Sequence, residues 1–521
     1  MKRKDRVIVI GAGMGGIAAA LRLSAMGFAV DVYEKQARPG GKMREIPLPG
    51  GAGLINAGPT VFTMRWVFDE LLAASRTRLE DALDFKHADI LARHAWPNGP
   101  TLDLHADIAA SSDAIADFAG PSNAAGYRRF CADAARIFRT LKHTYIAAQR
   151  PTPVSLMNRI GPLSIGSMMA LKPFSTLWGA LGDYFSDTRL RQLFARYSTY
   201  CGSSPYSAPA TLMLVAHVEQ DGVFIAKGGM HALARALASI AEAQGTVFHH
   251  GVNVRSIARK GDKVTGVFLA DDTYEPADAV VFNGDASALA SGMLGDVSPG
   301  FDPVRPEQRS LSAVTWALQA KFDGFHPAHH TVLFSDNYEA EFGAIFREGR
   351  VPDSPTTYLC LPDRDDAGMF ADGGYGAPPK GERVFALINA PANGDSQTYS
   401  SREIEACLKR SMTLMERCGL TPTLTADPVL AASPTEFNRL FPGSGGALYG
   451  PASHGWMASF KRQGARTALN GLYLAGGSVH PGPGVPMAAL SGMLAAESLA
   501  SDRATTPRFL PAVTSGGMQT E

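Results

Sequence analysis

The sequence predicts an α/β fold: a Rossmann-type dinucleotide-binding domain, a mixed α+β second domain and a helical segment. Three observations predict it. The β-branched run Val7–Ile10 enters the loop Gly11-Ala12-Gly13-Met14-Gly15-Gly16, which fits G-x-G-x-x-G. The stretch "AVDVYEK", Ala29 to Lys35, places an acid, Glu34, 23 positions after Gly11. A second glycine-rich loop, "GGSVHPGPGVPMAALSG" from Gly476 to Gly492, runs into a helical pattern near the other end of the chain.

Each part of the first unit has a physical task. A β-branched run flanked by glycine is the pattern of a parallel strand buried on both faces. Gly11 permits the tight strand-to-helix turn, Gly13 lets backbone approach a diphosphate, and Gly16 allows helix and strand to pack closely. The helix that follows offers unpaired N–H groups and a partial positive charge to phosphate. Glu34 accepts hydrogen bonds from a ribose diol and repels a 2′-phosphate, which disfavours NADP. Directly after Glu34 and Lys35, "RPGGK" brings a second glycine pair, Gly40-Gly41, and Lys42. That segment returns towards the diphosphate, as in FAD-binding members of the fold, and Lys42 is a candidate phosphate contact.

Bulk composition narrows the function class. At roughly 100–200 residues per domain, 521 residues suggest two to four domains. The 49 basic and 49 acidic residues cancel, so no long-range field draws in nucleic acid. Cysteines 131, 201, 360, 407 and 418 form no C-x-x-C pair, which argues for a reducing compartment without disulfides or a zinc site. The basic start "MKRKD" precedes only four apolar residues before glycine, so it is a first strand and not a signal peptide. The most membrane-like stretch, "IGPLSIGSMMAL" at Ile160–Leu171, has 12 residues against the ~20 a spanning helix needs.

Further along, residues 66–150 are expected to be mainly helical, with an extended stretch around Ala88 to Leu104. Pro173 is expected to start a helix carrying Phe174, Leu177, Trp178, Leu181 and Phe185, and Asp187 to cap the next. With Met157, Met168 and Met169, this segment is either a core layer or an apolar mouth touching membrane or substrate. From residue 223 the α/β pattern resumes, with turns at Gly228-Gly229, Gly261-Asp262 and Asp271-Asp272. Val254 falls on a strand beside the nucleotide fold. His249 and His250 are adjacent on a strand and face opposite ways, so they share no metal. Residues 310–450 mix strand and helix, with loops such as "PDRDDAG". The expected division is a discontinuous FAD domain (5–80, 220–300, 455–502), a substrate domain (81–150, 300–454), a helical segment at 151–219 and a flexible tail at 503–521.

Several segments together resemble one family. They are Gly11 to Lys35, "RPGGK" at 38–42, "NAGPTVF" at 56–62, "LRQLFARYSTYCGSSPYSAP" at 190–209, "AKGGMHAL" at 226–233, "GVNVRSI" at 251–257, "VFNGD" at 281–285 and "GLYLAGGSVHPGPGVPMAALSG" at 471–492. The chain resembles the bacterial-type carotenoid desaturases, flavoproteins of the phytoene desaturase family, over nearly its whole length. It departs from the usual pattern at Val479, Pro483 and Met487, positions that bear on substrate choice.

The resemblance implies a fold like that of the flavin amine oxidases, with FAD as cofactor. Gly476, Gly477, Gly484, Val485, Pro486 and Met487 would then meet the flavin ring. It implies desaturation of an acyclic C40 carotenoid, 3,4-dehydrogenation of a 1-hydroxycarotenoid foremost, by hydride transfer to flavin N5 and proton loss from the adjacent carbon. A phytoene desaturase acting earlier, or a lipid carrier on the same fold, are the alternatives. Oxygen or a quinone would be the final acceptor. The enzyme would sit peripherally on the cytoplasmic side of the inner membrane. His480 is the nearest titratable candidate for proton transfer; the plainer reading is a loop histidine bonded to backbone or flavin.

Overall fold

A computed structural model describes residues 4–49, 53–161, 171–371, 373–376, 378–427 and 429–505. Met168, Met169 and most of the stretch Ile160–Leu171 lie outside the described residues, as do residues 506–521.

The first strand, Arg6–Ile10, lies at the centre of a five-stranded sheet. The order is Leu472–Leu474, Ala279–Phe282, Arg6–Ile10, Ala29–Glu34, Val247–His250, and every pairing is parallel. Val7, Ile8 and Val9 are fully buried, as a central parallel strand covered on both faces requires. The sheet thus gathers strands from the start, the middle and the end of the chain.

Helix Met14–Ala25 leaves the first strand and packs along helix Val485–Thr505. The two backbones approach through glycine: a Cβ on Gly492 would collide with the Gly15 carbonyl oxygen. Beside this layer, Val254–Lys260, Lys263–Leu269 and Tyr274–Pro276 form an antiparallel sheet, with the predicted turns at Gly261-Asp262 and Asp271-Asp272.

The second large sheet runs Leu420–Leu424, Ser312–Gly324, Glu382–Ala390, Thr357–Cys360, His330–Leu333, Ile90–Ala95, Leu102–His105, with Leu430–Ala432 also paired to Ser312–Gly324. It draws the extended stretch near residue 90 together with strands more than two hundred residues later. Alternation sorts its two faces. Val384, Ala386 and Ile388 join the cluster under helix Ser401–Arg417, whereas Phe385, Leu387 and Asn389 face a cavity. The helix begins in a capping box of Ser400 and Glu403, which satisfies two of its free N-terminal donors.

The helical layer differs from expectation in one place. Asp187 caps helix Thr188–Ala195 as predicted, but Pro173 starts no helix. The helix there is Leu177–Leu181, because Thr176 supplies the cap by accepting from Gly179 N–H. Leu177, Leu181 and Phe185 are core residues, packed with Phe130 and Phe194. Among the described residues no helix is long and apolar enough to cross a membrane. All five cysteines are unpaired.

Candidate active site

The two glycine-rich loops meet. A Cβ on Gly15 would stand 2.7 Å from Gly476 N and 2.9 Å from Gly476 Cα, so only glycine tolerates this crossing of the chain ends. Asn283 lies in the same junction: its Nδ2 donates to the Gly11 carbonyl at 3.1 Å, and its Oδ1 faces Gly15 and Gly476. Gly11 adopts φ +95°, which lets the chain turn from strand to helix. A Cβ on Gly16 would strike the Gly11 carbonyl. Gly40 N–H donates to Ala12 O at 2.8 Å, and a Cβ on Gly41 would lie 3.0 Å from Gly13 Cα. The "RPGGK" segment therefore folds back over the first loop.

These loops line a continuous cavity of about 1430 Å³. Gly11, Gly13, Glu34, Lys35, Gly41, Lys42 and Val254 line one region of it; Gly476, Gly477, Gly484, Val485, Pro486 and Met487 line another. Gly16 packs behind the first loop and is not in the wall. Glu34 is 6% exposed and accepts from Ala12 N–H at 2.7 Å and Gln36 N–H at 2.8 Å, one on each carboxylate oxygen. Each oxygen keeps a further lone pair for a ligand hydroxyl.

The two lysines are held by one segment. Lys35 Nζ donates to Leu440 O at 2.7 Å and Lys42 Nζ to Leu448 O at 2.5 Å. Burial lowers the Lys42 ammonium below its ordinary range, against the pull of Asp285. Lys42, the expected phosphate contact, lines the cavity and also tethers the 440–448 segment. Arg462 was not anticipated. It is 3% exposed and donates to the carbonyls of Tyr449, Gly477 and Pro451, fixing that segment to the C-terminal loop.

His480 turns away from the cavity and does not line it. Its Nε2–H donates to the Ala148 carbonyl at 2.8 Å, and its ring meets Tyr145 edge to face. Burial pushes its pKa down to about 4, with the Ala148 carbonyl opposing. The geometry matches the plainer role, a neutral ring that pins the loop to residues 145–148.

At one end of the cavity wall polar side chains gather. Thr60 Oγ1 and Tyr358 OH are 2.6 Å apart, and Tyr358 OH lies 2.8 Å from His330 Nδ1. Glu219 accepts from Tyr197 OH at 2.8 Å and Tyr200 OH at 2.6 Å; burial raises its pKa while the tyrosines and Arg196 oppose the rise. His329, His330 and Cys360 form a buried group beneath this wall whose potential ligand atoms lie within 4.8 Å of one another. His329 Nδ1 bonds Arg364 O at 2.9 Å and its Nε2 faces Cys360 Sγ at 3.7 Å, while burial lifts the thiol to about 12. The group's polar atoms are thus mostly engaged by neighbouring protein. Apolar side chains line the cavity too, among them Leu156, Met157, Phe174, Leu212 and Trp456.

Comparisons place this geometry. Residues 14–500 match the family described as flavin containing amine oxidoreductase. The hydroxyneurosporene desaturase of Rubrivivax gelatinosus is 48% identical over 99% of this chain and 97% of its own length. That of Rhodobacter capsulatus is 41% identical over 96% of this chain and 99% of its own. The chain belongs to the flavin-containing amine oxidoreductases, among the carotenoid desaturases. Solved structures share the fold of this flavin family at low identity. An oxidoreductase from Methanosarcina mazei is 16% identical, with TM-score 0.57 over 95% of this chain and 100% of that one. A CLA-producing fatty acid isomerase from P. acnes is 13% identical, with TM-score 0.55 over 95% and 98%.

A flavin fits what the carotenoid desaturase presents. The glycine cradle would be filled by any Cβ at Gly15, Glu34 keeps free lone pairs, and both loops open on one cavity. Sequence reasoning missed Asn283, Arg462, Trp456 and the polar wall around Glu219. Asn283 had a signal, since an amide closes an otherwise apolar strand in "VVFNGD". The others had none, because their partners are distant in sequence.

Proposed function

We propose that this chain desaturates an acyclic C40 carotenoid, inserting the 3,4 double bond into a 1-hydroxycarotenoid with FAD as its flavin. The observation that carries the reading is the single cavity that joins both glycine loops to an apolar channel. The names of the relatives support the substrate class.

When bound, FAD supplies the acceptor for the hydride taken from the substrate. The chain's own residues do the rest. Gly11, Gly13 and Gly41 would admit the diphosphate, Glu34 would take the ribose hydroxyls, and Val254 would line the adenosine end. Gly476, Gly477, Gly484, Val485, Pro486 and Met487 receive the ring, with the N-terminus of helix Val485–Thr505 beside it. That terminus stabilises negative charge by ~0.3–2 kcal/mol. The apolar channel orients the substrate and excludes water. The proton lost from the neighbouring carbon is acidic, because the positive charge left by hydride loss spreads along the polyene. No strong base is required, and His480, bonded to Ala148, supplies none. The electrons leave to oxygen or a quinone, which anaerobic turnover with and without added quinone distinguishes.

The cavity's apolar end opens at the surface. Met157 is 50%, Phe174 72% and Trp456 48% exposed, the last two in ring contact at 5.7 Å. We infer that this rim rests on the membrane and admits the lipid-soluble substrate there.

The test is to supply phytoene, neurosporene and 1-hydroxyneurosporene separately to the FAD-loaded protein. A red shift and a loss of two mass units with the 1-hydroxy substrate is expected. Conversion of phytoene alone would instead support the earlier step, and no conversion with an unchanged flavin would favour a carrier.

A further inference from the structure

In a cavity made for a hydrocarbon, a cation needs a reason. Arg196 lines the cavity wall, its guanidinium over the rings of Tyr200 and Tyr358 at 5.2 and 5.5 Å from their centroids. A guanidinium carries five N–H donors. Among the described residues, Arg196 makes one side-chain hydrogen bond, from Nη1 to Tyr200 OH at 3.3 Å, and no carboxylate stands within ion-pair distance. Such a group is costly to withdraw from water unless something accepts from it.

Its neighbours have partners of their own. Both Glu219 oxygens already accept, from Tyr197 and Tyr200. Tyr358 OH is engaged by Thr60 and His330. Within this polar cluster the guanidinium of Arg196 keeps the largest number of spare donors. They suit an acceptor oxygen on a ligand: an amine would be repelled, and a hydrocarbon end would leave them unpaired.

The position also suits the chemistry. Tyr449 packs its ring on Gly202, in the turn that follows Arg196–Cys201, and its carbonyl is held by Arg462, which also holds Gly477. A chain of contacts thus ties the turn after Arg196 to the loop that would receive the redox end. In a 1-hydroxycarotenoid the oxygen sits two carbons from the bond oxidised. A group that grips this oxygen must lie near that loop, while the long polyene fills the apolar channel.

We propose that Arg196, steadied by Tyr200 and Tyr358, donates to the hydroxyl oxygen at the substrate's end and makes the enzyme selective for hydroxylated carotenoids. The proposal rests on the desaturase reading above. Its test compares kcat/KM for 1-hydroxyneurosporene and neurosporene in the flavin-loaded wild type, R196M and R196K. Hydrogen bonds to a charged group predict a wild-type preference of at least ~10-fold that R196M cuts by ~10- to 100-fold, with flavin content unchanged. R196K should recover part of it. An unchanged preference in R196M overturns the proposal, as does an equal fall with both substrates, the mark of a merely structural role. If R196M loses flavin, R196K alone decides: a preference cut ~3-fold or more supports the proposal and an unaltered one overturns it. A wild type without preference sinks the proposal and leaves the desaturase reading standing. A wild type that converts neither substrate sinks both.

Discussion

Glu34 shows how one side chain holds the fold and still lines the cavity. Its carboxylate caps two backbone N–H groups, from Ala12 and Gln36, and so holds the first loop against the end of strand Ala29–Glu34. The remaining lone pairs face the cavity. Glu34→Gln keeps the shape but gives up the charge and one acceptor. Charge-assisted hydrogen bonds of this kind contribute ~1.5–3 kcal/mol. Titration of apoprotein with FAD, followed by flavin fluorescence, should show Kd raised about 10- to 100-fold. An unchanged Kd would place the ribose elsewhere. His480 and Lys42 show what residue type alone leaves out: His480 bonds Ala148 outside the cavity wall, and Lys42, on that wall, also tethers Leu448.

At the scale of elements, the loop after strand Thr357–Cys360 is informative. "PDRDDAG" has the composition of an exposed turn, yet Arg364 is 4% exposed and pairs with Glu382, which is fully buried at the head of strand Glu382–Ala390. The pair is a two-pronged fork, Nε to Oε2 and Nη2 to Oε1, each 2.7 Å. Removing one partner strands a buried charge, which costs ~3–5 kcal/mol, whereas replacing both with apolar residues of similar volume is often neutral. Accordingly E382M should lower the urea midpoint markedly, and R364M/E382M should restore most of it. Equal loss in the single and double variants would show that packing, not charge, governs this corner. The sequence showed only that residues 310–450 mix strand and helix with loops such as "PDRDDAG"; it was silent on the arginine that reaches from that loop to strand Glu382–Ala390.

Over the whole molecule, the apolar rim joins residues far apart in the chain: Met157 and Phe174 from the helical layer, Trp456 from just before the C-terminal strand. Phe174→Asp with Trp456→Asp should release the protein from liposomes in a flotation assay while flavin content and urea midpoint stay near wild type. Undiminished binding would show that the rim does not face lipid. The helical segment thus divides between two tasks. Leu177, Leu181 and Phe185 are core, whereas Met157 and Phe174 stand on the rim.

The nucleotide-binding half was legible because its signals are local. A strand, a glycine turn, a helix and an acid at fixed spacing obey steric rules within some thirty residues, so Gly11, Gly13 and Glu34 could be named in advance. The second glycine loop was visible for the same reason. What only the tertiary structure decided is how distant segments close on one another. Gly15 and Gly476 touch, Asn283 and Arg462 brace the junction, and Arg196 turns into the cavity beside Tyr358. A hydrogen bond or a buried charge is set by whatever lies within a few ångströms, and chain order carries no record of partners two or three hundred residues away.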